Sequence, residues 1–197
     1  MKVWIVWLPN VWKSTLFNAL TKNYWAEAAN FPFCTIEPNS GIVNVNDVRL
    51  DKIRETVNGQ KVIPATVEFT DIAWIVKWAS SWEGLGNKFL ANIRETDTIL
   101  QVVRVFSDDN IIHVHGKVNP RYDIEIINSE LILADVESLE KRIINNARKA
   151  KSDKELAGLQ EVYEGLLKHL MEGKLACTYS MDEETRAKTK DLFLLTA

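Results

Sequence analysis

The segment that most constrains the fold of this chain is residues 7–15, Trp-Leu-Pro-Asn-Val-Trp-Lys-Ser-Thr. It stands between an apolar, strand-like run and a helix-like run. A strand, a loop and a helix in this order, with Lys-Ser at the end of the loop, are typical of a phosphate-binding P-loop, G-x-x-x-x-G-K-[ST]. Lys13 and Ser14 have the required spacing, but Trp7 and Trp12 occupy the two glycine positions.

The two tryptophans matter because a P-loop wraps phosphates with consecutive backbone N–H groups. Glycine reaches the necessary backbone angles and lets the backbone approach the ligand closely. The indole of Trp12 is expected to enter the phosphate site or to force the loop open. Lys13 would still reach for terminal phosphates, and Ser14 would still offer a hydroxyl to Mg²⁺. The segment therefore predicts a nucleotide-binding site, and its two tryptophans predict that nucleotide binding is impaired.

Length and composition narrow the class of protein. The 197 residues suggest one domain with room for an inserted element, and 46% hydrophobic content allows a buried core. A net charge of −3 gives no general attraction to nucleic acid. Cys34 and Cys177 form neither a metal spacing nor a disulfide framework, which favours a reducing, cytoplasmic compartment. No apolar stretch has the length of a signal peptide or a membrane span.

The first half of the chain alternates between strand and helix patterns. Strands are predicted at residues 2–7, 65–71 and 98–106, the last as a central strand, and a further strand begins near residue 42. Helices are predicted at residues 14–22, 51–57 and 85–95, and loops at residues 30–39 and 72–83. Such alternation predicts an α/β fold with a mostly parallel sheet flanked by helices.

Two long helices are predicted after Asp123, at residues 124–150 and 153–172. Apolar residues recur in them at alternating spacings of four and three, which is typical of an antiparallel helical hairpin or short coiled coil. These are Ile132, Val136, Leu139 and Ile143 in the first helix, and Leu156, Leu159, Tyr163, Leu166 and Leu170 in the second.

Basic residues cluster near the end of the first of these helices. The cluster consists of Lys141, Arg142, Arg148, Lys149, Lys151 and Lys154. A solvated helix face is the commoner explanation of such charge. The alternative is a contact with nucleic acid or the ribosome.

Several segments closely resemble the Obg-like ATPases, the YchF branch of the translation-factor-type P-loop NTPases. They are residues 8–21, residues 28–39 for switch I, residues 71–73 and 83–90 for switch II and its helix, and residues 110–120. The resemblance implies a Ras-like P-loop NTPase domain whose first part is residues 1–123. It further implies a coiled-coil hairpin insertion at 124–174 and a return to the NTPase domain at 175–197. The family's base-specificity motif and TGS domain would lie beyond Ala197.

The resemblance also implies a set of site residues. The nucleotide would be ATP or GTP, and the family associates with ribosomes. The residues that would bind the nucleotide are Asn10, Val11, Trp12, Lys13, Ser14, Thr15 and Trp74. Those that would hold Mg²⁺ are Ser14, Thr35 and, through a water, Asp71.

The residue that orients the attacking water is not the glutamine found in many relatives. Ile75 occupies that position, as in the hydrophobic-substituted branch that the chain resembles. His113 is therefore a candidate catalytic residue, because it lies in a segment that the resemblance implies to be mobile. The alternative is that His113 and His115 are strand-edge side chains.

All seven tryptophans, at positions 4, 7, 12, 25, 74, 78 and 82, fall where the family has glycine. Random mutation does not change glycine only into tryptophan, so the pattern indicates deliberate substitution or a wrongly assigned residue type. Three hypotheses follow. The chain is a Mg²⁺-dependent ATPase or GTPase that works with ribosomes, a nucleotide-blocked scaffold that acts through its helical hairpin, or a nucleic-acid-binding module that uses the basic cluster.

Overall fold

A computed structural model describes residues 1–8, 11, 13–21, 39–71, 96–108, 111, 113, 116–147 and 154–197. The predicted switch I loop, the loop at 72–83 and the helix at 85–95 lie outside this part of the chain, except for Asn39. The chain divides into two compact units. Unit 1 contains Met1–Ala79 and Thr96–Pro120, and unit 2 contains Ser80–Glu95 and Arg121–Ala197.

Unit 1 is built on a four-stranded sheet with the order β2-β3-β1-β4. The strands are β1 (Lys2–Trp7), β2 (Asn39–Asn44), β3 (Thr66–Asp71) and β4 (Thr98–Val102). β1 is parallel to both β3 and β4, whereas β2 is antiparallel to β3. Residues 3–7 are all buried, as expected for a parallel strand with neighbours on both sides. The predicted mostly parallel α/β sheet is confirmed.

Two strand predictions need correction. The strand predicted at 98–106 ends at Val102, and within the described sheet it has one neighbour, β1, so it is not central there. An apolar, β-branched run indicates a strand but does not distinguish central from edge positions. The strand predicted to begin near residue 42 begins at Asn39, because its pairing with β3 already starts opposite Asp71.

Two helices accompany the sheet in unit 1. α1 spans Lys13–Thr21 and α2 spans Val48–Thr56, each within a few residues of its predicted bounds. α1 approaches β2 closely, because a Cβ atom added at Gly41 would collide with the side chain of Thr21. The absence of a side chain at Gly41 thus lets the helix pack against this strand.

Unit 2 contains two long helices and a C-terminal segment. α3 spans Pro120–Ala147 and α4 spans Lys154–Met171. Short 3₁₀ turns at Ala176–Thr178 and Lys190–Leu192 flank α5 (Glu183–Thr189). α3 starts four residues before the predicted position, since proline is well suited to the first position of a helix.

The predicted apolar spacing of the hairpin is confirmed for eight of its nine residues, all but Leu156, by one hydrophobic cluster in unit 2. Buried members from both helices meet residues of the C-terminal segment there, namely Ile132, Leu139, Tyr163, Leu166, Leu170, Ala176 and Leu192. Val136, Ile143 and Leu159 pack against it while partly exposed. Residues 175–197 therefore contribute to the same core as the hairpin helices. None of the helices that the structure describes is long and apolar enough to cross a membrane.

Helix α4 contains two glycines that should respond oppositely to substitution by alanine. A Cβ atom at Gly158 would meet nothing within 4 Å, whereas one at Gly165 would collide with the hydroxyl of Tyr179. We expect Gly158→Ala to stabilise the fold by about 0.5–1 kcal/mol through helix propensity. Gly165→Ala should instead destabilise it by about 1 kcal/mol, because the cost of overpacking exceeds that gain.

Urea unfolding followed by circular dichroism measures both effects. Tyr179→Phe removes the colliding oxygen, so the double variant Gly165→Ala/Tyr179→Phe should recover most of the loss. Equal effects of the two alanine substitutions would contradict the packing described for Gly165.

Candidate nucleotide site

The end of β1 and the start of α1 enclose the loop that the P-loop pattern predicts. β1 ends at Trp7 and α1 begins at Lys13, so the strand–loop–helix order is confirmed. Asp71 is the last residue of β3 and lies in register with Ile5, and Val102 lies opposite Trp7. Because β1, β3 and β4 are parallel, their carboxyl ends meet at one edge of the sheet, where ligands of open α/β sheets bind.

The side chain of Lys13 is engaged by a tryptophan of the same loop. Its Nζ atom lies 3.9 Å from the centroid of the Trp7 ring. Lys13 is 7% exposed and Trp7 is 8% exposed, so this contact is shielded from water. A desolvated cation–π contact contributes about 2 kcal/mol. The ammonium group that should face phosphate is thus held by an indole at a position where the P-loop pattern has glycine.

The structure accounts for only some of the other predicted nucleotide-binding residues. Val11 is buried, and Thr15 is exposed on the first turn of α1. The backbone of Ser14 belongs to the same turn. The remaining predicted positions, Asn10, Trp12 and Trp74, lie outside the described residues. Their roles stay predictions.

The predicted Mg²⁺ ligands fit the chemistry of that ion. Ser14, Thr35 and Asp71 offer hydroxyl and carboxylate oxygens, the ligands that Mg²⁺ prefers. The backbone puts Ser14 in the first turn of α1 and Asp71 at the carboxyl end of the neighbouring strand β3. Thr35 lies outside the described residues.

His113 follows β4 in unit 1 and is only 5% exposed. Its carbonyl oxygen accepts a hydrogen bond from the backbone N–H of Gly116 at 2.9 Å, in a turn where Gly116 has a φ of +76°. His113 belongs to no strand of the described sheet, so the interpretation of it as a strand-edge side chain is wrong. The same interpretation of His115 concerns a residue outside the described part of the chain.

Arg104 is a residue of this region that the sequence analysis missed. It lies two residues after β4 and is 1% exposed. Its three guanidinium nitrogens donate to backbone carbonyls, Nε to Phe106 at 2.9 Å, Nη1 to Ile111 at 3.0 Å and Nη2 to Asp108 at 3.1 Å. In the sequence, the feature that could have indicated this residue is an arginine inside the otherwise apolar run at residues 102–106.

Comparisons with known proteins agree with this geometry. A family model described as 50S ribosome-binding GTPase matches residues 2–134. The chain belongs to this family of GTPases.

Individual relatives confirm the resemblance to the YchF branch. The chain is 55% identical over 194 residues to the ribosome-binding ATPase YchF of Bacillus subtilis, covering 98% of this chain and 53% of the relative. It is 53% identical over 196 residues to the protein of the same name from Escherichia coli O157:H7, covering 99% and 54%. The solved structure of the Schizosaccharomyces pombe YchF GTPase matches 100% of this chain and 54% of its own, with a TM-score of 0.74 and 38% identity. The chain spans about half the length of these relatives.

Two residues of the basic cluster, Lys141 and Arg142, have described side chains, and both form ion pairs with acidic residues. Lys141 forms an ion pair with Glu137 at 2.6 Å, one helical turn away, and Arg142 pairs with Asp191. The groups of both pairs are largely exposed. These two cations therefore fit the solvated helix face better than a free nucleic-acid contact. The side chains of the other cluster members are not described.

Proposed function

We propose that this chain binds and hydrolyses ATP or GTP with Mg²⁺, as a P-loop switch protein that works with ribosomes in the cytoplasm. The observation that carries the proposal is Lys13 as the first residue of α1, directly after the loop that leaves β1. β3 ends in an acidic residue, Asp71, at the same edge of the sheet. Membership of the ribosome-binding GTPase family and similarity to proteins named ribosome-binding ATPases support the substrate and the partner.

The proposed mechanism relies on positioning and electrostatics rather than covalent chemistry. Backbone N–H groups of residues 10–15 cradle the phosphates, and Lys13 bridges the terminal two. Ser14, Thr35 and, through a water, Asp71 would hold Mg²⁺, which would neutralise phosphate charge. The backbone N–H at position 74 would approach the terminal phosphate. His113 orients the attacking water.

Replacement of Lys13 tests this site. We expect Lys13→Ala to weaken ATP binding about 10- to 100-fold, because charge-assisted hydrogen bonds contribute about 1.5–3 kcal/mol. Lys52→Ala, an exposed lysine on α2, is the matched control and should bind as the parent does. Calorimetric titration with ATP and Mg²⁺, repeated with GTP, measures the affinities. The exchange is repeated with glycine at positions 7 and 12, which frees Lys13 from Trp7. Unchanged affinity in that background would show that the site assignment is wrong.

A second candidate function, a nucleotide-blocked scaffold that acts through the helical hairpin, is favoured by the contact between Lys13 and Trp7. In such a protein Trp7 would hold Lys13 permanently, so that the lysine could not contact a nucleotide phosphate. Sustained Mg²⁺-dependent ATP turnover by the chain as printed would eliminate this candidate. The nucleic-acid-binding alternative predicts binding that weakens steeply with salt, which filter binding to RNA measures.

A further inference from the structure

Arg104 is a buried cation whose hydrogen-bond acceptors, among the residues that the structure describes, lie in one short stretch of chain. The guanidinium is 1% exposed, and its nitrogens donate to the carbonyls of Phe106, Asp108 and Ile111. Its carbon also lies 4.8 Å from the centroid of the Phe106 ring. A buried charge is tolerated only when its hydrogen bonds are satisfied. The three carbonyls must therefore stay close to the guanidinium, and this requirement fixes the backbone positions of Phe106, Asp108 and Ile111 after β4.

The stretch held by Arg104 leads directly to His113. Ile111 precedes His113 by two residues, and the turn from His113 to Gly116 closes the segment with a 2.9 Å hydrogen bond. The segment starts at the carboxyl end of β4, where Val102 is in register with Trp7 at the start of the nucleotide loop. The guanidinium therefore links the sheet edge that bears the loop to the segment that bears His113.

We propose that Arg104 is the positioning residue that, through its bonds to the carbonyls of Phe106, Asp108 and Ile111, holds His113 in place for hydrolysis. This inference rests on the proposed function of His113. The planar guanidinium directs donors to three separate carbonyls at once, which the single ammonium of lysine cannot reproduce. Shape as well as charge is therefore required at position 104.

Nuclear magnetic resonance of the histidines tests the positioning independently of turnover. The chain has three histidines, and His115→Gln assigns one of them. In Arg104→Gln and Arg104→Lys, the ring signal of His113 should move toward that of an exposed histidine. His169, which contacts the Thr178 hydroxyl at 2.8 Å in unit 2, should keep its signal and report that unit 2 stays folded. If Arg104→Gln fails to fold, Arg104→Lys carries the test, because it keeps the charge and the aliphatic stem.

Kinetics then test the consequence for the reaction, in the chain as printed and with glycine at positions 7 and 12. We expect kcat to fall about 10- to 100-fold in Arg104→Gln and Arg104→Lys, with little change in Kd for ATP, because misplacing a catalytic group by about 1 Å has effects of this size. In the His113→Ala background, Arg104→Gln should have almost no further effect. Arg54→Gln, a partly exposed arginine on α2 in the same unit, is the matched control.

Each contrary result has a distinct meaning. A His113 signal that stays unmoved in both Arg104 variants, or a full kcat loss from Arg104→Gln in the His113→Ala background, overturns the positioning role. Full turnover by His113→Ala refutes the proposed function of His113, and with it the catalytic consequence of Arg104. In that case the ring signal of His113 still shows whether Arg104 positions His113, independently of whether His113 takes part in hydrolysis.

Discussion

Replacement of Asp135 by alanine is expected to lower the free energy of unfolding by about 3–5 kcal/mol, the largest stability effect of any single exchange proposed for this chain. Asp135 is 0% exposed on α3. Its carboxylate accepts hydrogen bonds from the backbone N–H groups of Leu195 at 2.7 Å and Thr196 at 2.8 Å, and from the Thr196 hydroxyl at 2.7 Å. Alanine would leave these donors, which begin 60 residues after Asp135 in the chain, without their acceptor.

The Thr196 hydroxyl extends this network, because it accepts from the backbone N–H of Ala176 at 3.0 Å. Urea unfolding followed by circular dichroism measures the loss. Asp135→Asn keeps the shape but presents an amide N–H₂ to a donor, so it should lose about 1–3 kcal/mol. Glu137→Ala, on the exposed face of the same helix, should change stability by less than about 1 kcal/mol. An Asp135→Ala variant as stable as Glu137→Ala would refute the network.

The elements that sequence patterns predicted well are those defined by local repetition. A continuous apolar run predicted β1, and the recurrence of apolar residues at three and four predicted the hairpin helices and most of their shared core. The strand and helix on either side of the loop that ends at Lys13 were predictable because a phosphate-binding loop has this local order. These signals depend on neighbours along the chain, so they need no knowledge of the tertiary fold.

The features that escaped prediction depend on residues distant in sequence. The antiparallel pairing of β2 and the position of β4 are set by the sheet as a whole. The residue pattern of a single strand indicates neither its direction nor its neighbours. Asp135 follows four apolar residues of α3, Leu131 to Ala134, so an acid there is a local anomaly, but nothing near it indicates that Leu195 and Thr196 complete its bonding. Arg104 is a similar case, since a cation within an apolar run is also a local anomaly, but its three carbonyl partners are visible only in the structure.

Replacement of Trp7 by glycine is expected to strengthen ATP binding about 10- to 30-fold, because it removes a cation–π contact of up to about 2 kcal/mol from Lys13. Trp7→Leu also removes the aromatic face and should give most of this gain, short only of what the backbone freedom of glycine adds. Trp12→Gly should add to it by letting the backbone approach the phosphates. Calorimetric titration with ATP measures all three variants. No gain from either glycine exchange would mean that the tryptophans do not obstruct the site.

The intact mass of the protein isolated from its own cells should correspond to glycine at all seven tryptophan positions. A codon that one genetic code translates as tryptophan and another as glycine would change these positions together and leave every other residue type as it is. The local physics points the same way, since Trp7 diverts the lysine on which phosphate binding depends. A mass that corresponds to seven tryptophans would instead identify a chain whose nucleotide loop is closed by its own side chains, and the scaffold function would then take precedence over hydrolysis.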